Sequence, residues 1–331
     1  MLMIAGFIFC ATIIFLAGKK LSFYGDLLAE KTGMSKGWIG LILMSTVTSL
    51  PELMVGISSS AIVQSPDLAA GDIFGSCAFN LGILAMLDAF IPGKKSLSEV
   101  ASPTHMLNAA LSILLIALAG LALFLPKDIY LTPWIGISSI IFILVYFVSI
   151  RIIYKNELNH PVRNEKNNIQ ELIISLTLRQ IIVRYTALAL VIICAALALP
   201  YFAEHIAEMS GLKASFVGTF FLALSTSLPE VAVSLAAIRS GSIDMAVGNL
   251  LGSNIFNVFI LAIDDLFYTN GLLLKDASDI HMASAFSVII MTAIVIIGLS
   301  YKAKGKRFLL AWDAFLIFMI YILNLVLLAF M

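Results

Sequence analysis

Charged residues are scarce in this sequence. Asp, Glu, Lys and Arg together make up 12% of the 331 residues, whereas a soluble globular protein carries about 25%. Hydrophobic residues make up 61%. The composition excludes a mainly soluble protein and predicts an integral membrane protein whose surroundings are the lipid bilayer. The formal net charge is zero, so nothing indicates a nucleic-acid partner, and no protein partner is predicted.

Cysteine is also rare, and familiar catalytic patterns are missing. Cys10, Cys77 and Cys194 lie in apolar segments, without metal-type or disulfide spacing, and are interpreted as small core residues. No HExxH, Ser–His or complete GxGD arrangement occurs. The sequence therefore predicts neither an enzyme nor a bound cofactor. The apolar N-terminus lacks a positive region and a cleavage site, so it is read as a spanning helix.

Long apolar segments dominate the remainder. A helix needs about 20 mostly apolar residues to cross a bilayer. The sequence predicts an all-α polytopic protein with ten spans, at 2–18, 38–62, 67–90, 105–125, 132–154, 180–203, 213–238, 243–268, 281–300 and 308–330.

The basic residues are distributed unevenly between the two faces that ten spans define. Of the 20 Lys and Arg residues, 17 fall in loops on the face opposite the termini and 3 on the face of the termini. Because basic loops stay in the cytoplasm, both termini are expected to be extracellular or periplasmic, in a cell membrane. The polar stretch 156–179 is expected to be a cytoplasmic linker between two halves, 1–155 and 180–331.

Two motifs occur once in each half. The segment 48–52, Thr-Ser-Leu-Pro-Glu, recurs at 226–230, 178 residues later. The Gly-rich segment 71–80 resembles 248–257 at an offset of 177. Each half holds five spans, so the second half enters the membrane from the opposite side. The sequence therefore predicts two inverted five-helix repeats related by a pseudo-two-fold axis in the membrane plane.

The repeated prolines predict kinked or broken helices. Pro51 and Pro229 lack an N–H, so the carbonyls of Val47 and Ser225 lose their usual helical donors. At membrane depth such carbonyls must line a cavity or find another partner. A bound cation is a suitable partner.

The polar side chains around the prolines all offer oxygen atoms as ligands for a metal ion. Oxygen ligands select a hard cation such as Ca²⁺ or Na⁺ over Zn²⁺ or Cu²⁺. Polar residues spaced four apart in the two Gly-rich segments are expected to supply further ligands to the same cation, with Asp72 and Asn249 at the edge of the site. The predicted ligands are Glu52, Glu230, Thr48, Ser49, Thr226, Ser227, Ser76, Asn80, Ser253 and Asn257, with the carbonyls of Val47 and Ser225.

Charge favours exchange over one-way transport. Glu52 and Glu230 supply two negative charges, which one Ca²⁺, two Na⁺ or two protons neutralise. Two uncompensated carboxylates are strongly unfavourable together, so the site should cross the membrane only when loaded. A passive cation channel is the alternative function of a different class.

Four residues lie at the ends of predicted spans and are expected to be solvated or interfacial. They are His105, His281, Asp88 and Asp265.

The paired motifs resemble the two alpha repeats of the calcium/cation antiporter superfamily, closest to the compact prokaryotic form of its sodium/calcium exchangers. The resemblance implies alternating access, Ca²⁺ movement coupled to Na⁺, and the ligand set given above. It also implies that the first and sixth spans slide across the other eight. Asp72 and Cys77 stand where Asn is common, and Asn257 stands where some sodium/calcium exchangers have Asp. These departures leave an H⁺/Ca²⁺ antiporter as the alternative.

Overall fold

The computed structural model describes residues 2–124, 130–132, 135–159, 176–210, 224–303, 305–306 and 309–330. Within these ranges, eight helices are long and apolar enough to cross a membrane. A shorter apolar helix, Trp312–Leu328, is the tenth predicted span. The seventh is described only from residue 224, because 213–223 lie outside the described ranges, as do residues 160–175 of the predicted linker.

Up to residue 136, the described part of the chain contains seven α-helices, two π-helical turns and a two-stranded hairpin. In chain order they are α1 Leu2–Thr32, α2 Lys36–Trp38, π1 Ile39–Met44, α3 Ser45–Thr48, α4 Leu50–Ser58, π2 Ser59–Val63, α5 Pro66–Asp88, α6 Leu97–Val100, α7 His105–Phe124, β1 Tyr130–Thr132 and β2 Ile135–Gly136. The strands pair antiparallel, with Tyr130 opposite Gly136.

The remaining helices extend from the end of the first half to the C-terminal region. They are α8 Ile137–Asn159, α9 Leu178–Ser210, α10 Leu228–Arg239, α11 Ile243–Phe267, α12 Leu273–Asp276, α13 His281–Tyr301 and α14 Trp312–Phe330. The predicted all-α polytopic class is confirmed; the hairpin was not predicted.

The first helix is longer than predicted. Its predicted end at residue 18 is wrong, because α1 continues through Lys19 and Lys20 to Thr32. The lysines are exposed while Leu21 and Leu27 are buried, so the helix goes on packing beyond its apolar stretch. It ends where Gly33 adopts a left-handed conformation, with φ 72°.

The two Gly-rich helices form the centre of the molecule. In their apolar spans, 78% of α5 and 89% of α11 are buried, against 28% of α1 and α8. Glycine makes this density possible, because a Cβ on Gly248 or Gly252 would collide with a backbone carbonyl oxygen of the 37–41 segment. The Gly248–Gly252 spacing therefore lets α11 cross the second span at backbone contact, as such spacing does in membrane helices.

Candidate functional site

Both proline-containing helices break at the serine two positions before the proline. Ser49 has φ −93° and ψ 8°, and Ser227 has φ −86° and ψ 5°, so neither is helical. A new helix starts after each break, with Glu52 and Glu230 in its first turn. Unpaired N–H groups at a helix N-terminus stabilise negative charge. Each break therefore places a glutamate at a helix N-terminus inside the membrane.

The serine of each repeat contacts the glutamate of the other. Ser49 Oγ donates to Glu230 Oε1 at 3.0 Å, and Ser227 Oγ donates to Glu52 Oε1 at 3.2 Å. These bonds are related by the internal repeat. They bring the two motifs, 178 residues apart in the chain, into one cluster as inverted partners.

The pseudo-two-fold axis passes near the crossing of α5 and α11. Cys77 and Asn254 occupy equivalent positions, and Asn254 Nδ2 donates to the Cys77 carbonyl at 3.2 Å. Asn80 Nδ2 donates to Asn254 Oδ1 at 3.0 Å, and Asn257 Nδ2 lies 3.7 Å from Cys77 Sγ. Cys77 is thus part of the contact between repeats, not simply a core residue. Cys194 is exposed, so its prediction as a core residue is wrong.

Four oxygen atoms in this cluster have no hydrogen-bond partner among the described residues. They are Glu52 Oε2, Glu230 Oε2, Asn80 Oδ1 and Asn257 Oδ1, and each residue is at most 1% exposed. A buried acceptor without a donor costs about 1–3 kcal/mol, and more when it is charged. The four atoms form two repeat-equivalent pairs, so each repeat contributes one glutamate oxygen and one asparagine oxygen that lack a hydrogen-bond donor.

Side chains of three further predicted ligands contact residues of the same cluster. Ser253 Oγ donates to Glu230 Oε1 at 3.3 Å, and Ser76 Oγ is 3.4 Å from Ser227 Oγ. Thr48 Oγ1 lies 3.3 Å from Asn249 Oδ1. Ser225 and Thr226 are fully buried, whereas Val47 is partly buried. The sequence motifs therefore converge in space.

The donors suit a hard cation. Within the described ranges, no group of three or more His, Cys, Asp and Glu side chains is arranged around a common point. A cation here would instead be held by two carboxylates supplemented by amide, hydroxyl and carbonyl oxygens. Such mixed oxygen sets are typical of Ca²⁺ and Na⁺ rather than of Zn²⁺. The four unpartnered acceptors fit that requirement.

Two histidine–aspartate pairs join the repeats at opposite ends. His105 Nε2 lies 3.1 Å from Asp244 Oδ1, and His281 Nε2 lies 3.1 Å from Asp67 Oδ1. Both histidines are buried in the protein at the start of their helices, and their placement at the level of the membrane interface stays a prediction. Asp67 and Asp244 were missed, although their 177-residue spacing equals the offset of the Gly-rich segments.

Asp88 and Asp265 are buried, and their prediction as solvated end charges is wrong. Asp88 accepts the backbone N–H groups of Leu97 and Ala311 at 2.6 and 2.7 Å. Asp265 accepts those of Leu273 and Gly136 at 2.9 and 3.0 Å. Each carboxylate therefore fixes two chain segments at its end of the bundle, and it is not available at an ion entrance.

Comparison with known proteins gives one consistent family. The family model described as "Sodium/calcium exchanger protein" matches residues 2–155 and 180–330. Sodium/calcium exchanger MaX1 of Methanosarcina acetivorans is 28% identical over 329 residues, covering 91% of each chain. An uncharacterized membrane protein of Methanocaldococcus jannaschii is 26% identical over 318 residues, covering 93% of this chain and 95% of its own.

The fold is also shared with a solved structure. The sodium-calcium exchanger NCX_Mj, soaked with 2.5 mM Na⁺ and 0.1 mM Ca²⁺, superposes with a TM-score of 0.74. The identity is 22%, over 98% of this chain and 97% of that one. The similarity extends over essentially the whole chain and supports the architecture of two inverted five-helix repeats.

Proposed function

The chain belongs to the sodium/calcium exchanger protein family, and we propose that it exchanges Ca²⁺ for Na⁺ across the cell membrane by alternating access. The observation that carries this proposal is the group of four unpartnered oxygens contributed by Glu52, Glu230, Asn80 and Asn257. The two glutamates supply the charge that one Ca²⁺ neutralises, and the amides add uncharged ligands.

In this proposal the remaining ligands add hydroxyl and carbonyl oxygens around the same ion. Hydroxyls on the Pro-broken helices and the Gly-rich helices lie within hydrogen-bond range of the glutamates or of each other. Asp72 and Asn249 lie at the edge of this site. The proposed ligands are Glu52, Glu230, Thr48, Ser49, Thr226, Ser227, Ser76, Asn80, Ser253 and Asn257, with the carbonyls of Val47 and Ser225.

Charge compensation couples the two ions. Glu52 and Glu230 are at most 1% exposed, so two uncompensated charges in this site would carry a large desolvation cost. One Ca²⁺ or two Na⁺ removes the net charge. The protein therefore changes its access state when either load is bound, and Ca²⁺ movement is tied to Na⁺ movement.

The moving element is the pair formed by α1 and α9. These helices pack along each other. Their apolar contact around Ile14, Ala196 and Leu199 is separate from the main core, whereas Leu21 of α1 and Ile181 of α9 belong to that core. Ala232 of α10 belongs to the same separate cluster. Small and aliphatic side chains at this contact suit sliding. The movement would also exchange the buried bonds of Asp26 on α1, which accepts from Ser242 Oγ and pairs with Lys36 at 2.9 Å.

The proposed topology follows the distribution of basic residues. Both termini face outward, the segment 156–179 is a cytoplasmic linker, and the repeats comprise 1–155 and 180–331. The protein acts as a transporter and not as an enzyme. Its partners are the transported ions and the lipid bilayer.

Uptake of ⁴⁵Ca²⁺ into proteoliposomes tests the function. Vesicles loaded with Na⁺ and diluted into Na⁺-free buffer should accumulate ⁴⁵Ca²⁺, whereas vesicles carrying only a pH gradient should not. Uptake driven by the pH gradient alone would replace Na⁺ by H⁺ as the counter-ion. Flux that needs neither gradient, with single-channel conductance, would show a passive channel instead.

A further inference from the structure

Asp264 is a buried carboxylate that the central site does not use. It lies on α11, seven residues beyond Asn257, and it is 0% exposed. Neither of its oxygens has a hydrogen-bond partner among the described residues. A carboxylate fully removed from water without a donor carries a cost of several kcal/mol. Something other than a side chain of the described ranges must compensate it.

The carboxylate of Asp264 points at the backbone of the broken helix. It packs against Gly56 so closely that a Cβ at that position would overlap both oxygens. Gly56 is four residues after Glu52, hence one turn further along the same face of α4. Asp264 therefore lies in line with the central site, displaced toward the C-terminal end of α11.

Asp72 is a second buried carboxylate, near both Asp264 and the central glutamates. Its side chain is 4% exposed, and its negative charge acts on both Glu52 and Asp264. The Thr226 hydroxyl is beside it, yet no hydrogen bond of normal geometry reaches either oxygen. Two carboxylates thus lie in this region, and Gly56, which Asp264 contacts, is one turn of α4 away from Glu52.

The equivalent region of the other repeat carries no such charge. The counterpart of Asp72 is Asn249, whose Nδ2 donates to Ser234 Oγ at 3.0 Å. Ser234 is itself the counterpart of Gly56, and Leu87 is the counterpart of Asp264. The side of the central site at Asn249 is therefore neutral and internally hydrogen-bonded. The opposite side holds two carboxylates and Gly56, which has no side chain. Repeat symmetry does not explain these acids.

We propose that Asp264 and Asp72 form a second site for a hard cation, Na⁺ or Ca²⁺, in series with the central site. Under the proposed topology it lies on the outer side, so an ion would occupy it between the external solution and Glu52. Its ligands would be the oxygens of the two carboxylates, with the glycine leaving room beside them. This site is proposed to bind a cation, and its binding can be measured separately from the exchange of Ca²⁺ for Na⁺.

Equilibrium binding to purified protein tests this site in a background where the central site is disabled. The variant Glu52→Gln/Glu230→Gln retains both aspartates, and we expect it to bind one ⁴⁵Ca²⁺ or, if the site is monovalent, ²²Na⁺ per chain. Adding Asp264→Asn should weaken that binding on the order of 100-fold, because one of two charged ligands is lost. Adding Asp279→Asn, an exposed aspartate on the same side, should leave it unchanged.

Two results would overturn the second site. One is a monodisperse, helical double-glutamine variant that binds neither ion. The other is residual binding that Asp264→Asn does not alter, which would mean that a proton compensates Asp264. If Asp264→Asn does not fold, Asp72→Asn replaces it, because asparagine occupies the equivalent position 249. Na⁺-driven uptake by the wild type tests exchange separately, so the two proposals can fail independently.

Discussion

Replacing Glu230 by glutamine removes one of the two charges that face the Ca²⁺ in the proposed site, while almost preserving shape. At an effective dielectric constant of about 20 and about 3 Å between charge centres, Coulomb's law gives roughly 11 kcal/mol of attraction per carboxylate. Most of this is offset by the desolvation of both partners. Removing one partner of a buried charge pair typically costs about 3–5 kcal/mol. That cost corresponds to a loss of Ca²⁺ affinity of about 10²–10⁴-fold.

Titration of ⁴⁵Ca²⁺ binding to detergent-purified protein measures this loss. Glu52→Gln should match Glu230→Gln within about tenfold, because each glutamate accepts a serine of the opposite repeat, at 3.2 and 3.0 Å. Glu99→Gln is the matched control, since Glu99 is only partly buried and lies outside the site. A shift below about threefold for either central glutamate, in a protein with unchanged thermal stability, would refute the shared-ion geometry.

Three further substitutions test the packing that supports the site. Gly252→Ala should destabilise the protein by about 1–3 kcal/mol through overpacking, which would be measured as a lower unfolding temperature. Gly120→Ala is the control and should leave the unfolding temperature unchanged, because its Cβ would meet its nearest neighbour at 3.4 Å, an ordinary contact. Asp244→Asn should lower the unfolding temperature more than Asp67→Asn, because the two aspartate side chains are 30% and 57% exposed. Equal effects would contradict a larger contribution from the less exposed His105–Asp244 pair. Asp88→Asn should lose about 1.5–3 kcal/mol by weakening a charged acceptor of two backbone N–H groups, whereas an unchanged unfolding temperature would show a solvated carboxylate.

Much of the architecture could be predicted because membrane helices are constrained locally. Each backbone polar group must be satisfied within its own helix, so length and hydropathy identify the spans. The end of α1 was missed because charge does not stop a helix. Lys19 and Lys20 project outward while the chain continues helical to the glycine that terminates it.

The central residues could be predicted for a related reason. A glutamate and a proline inside an apolar run are both costly, so their repetition at equivalent positions indicates function. The pairing of Ser49 with Glu230 follows from the inverted repeat only in outline. Its bond length and direction depend on where each helix breaks, and the break lies at the serine rather than at the proline.

Buried charges near span ends could not be predicted from the sequence. Asp88 and Asp265 close their helices, where charged side chains are commonly solvated. They are buried because α6 and α12 fold back and donate backbone N–H groups to them. Asp264, next to one of these, meets Gly56 of another helix. Such contacts depend on how helices cross, which hydropathy and motif spacing do not specify.

Glu52 and Glu230 are proposed to hold one transported Ca²⁺ jointly. Anomalous diffraction from crystals soaked in Sr²⁺, as a heavier substitute for Ca²⁺, locates that ion directly. We expect a peak within coordination distance of Glu52 Oε2 and Glu230 Oε2, and we expect it to be lost in crystals of Glu230→Gln. A peak bound by one glutamate alone, or a peak at this position that persists without Glu230, would contradict this joint binding.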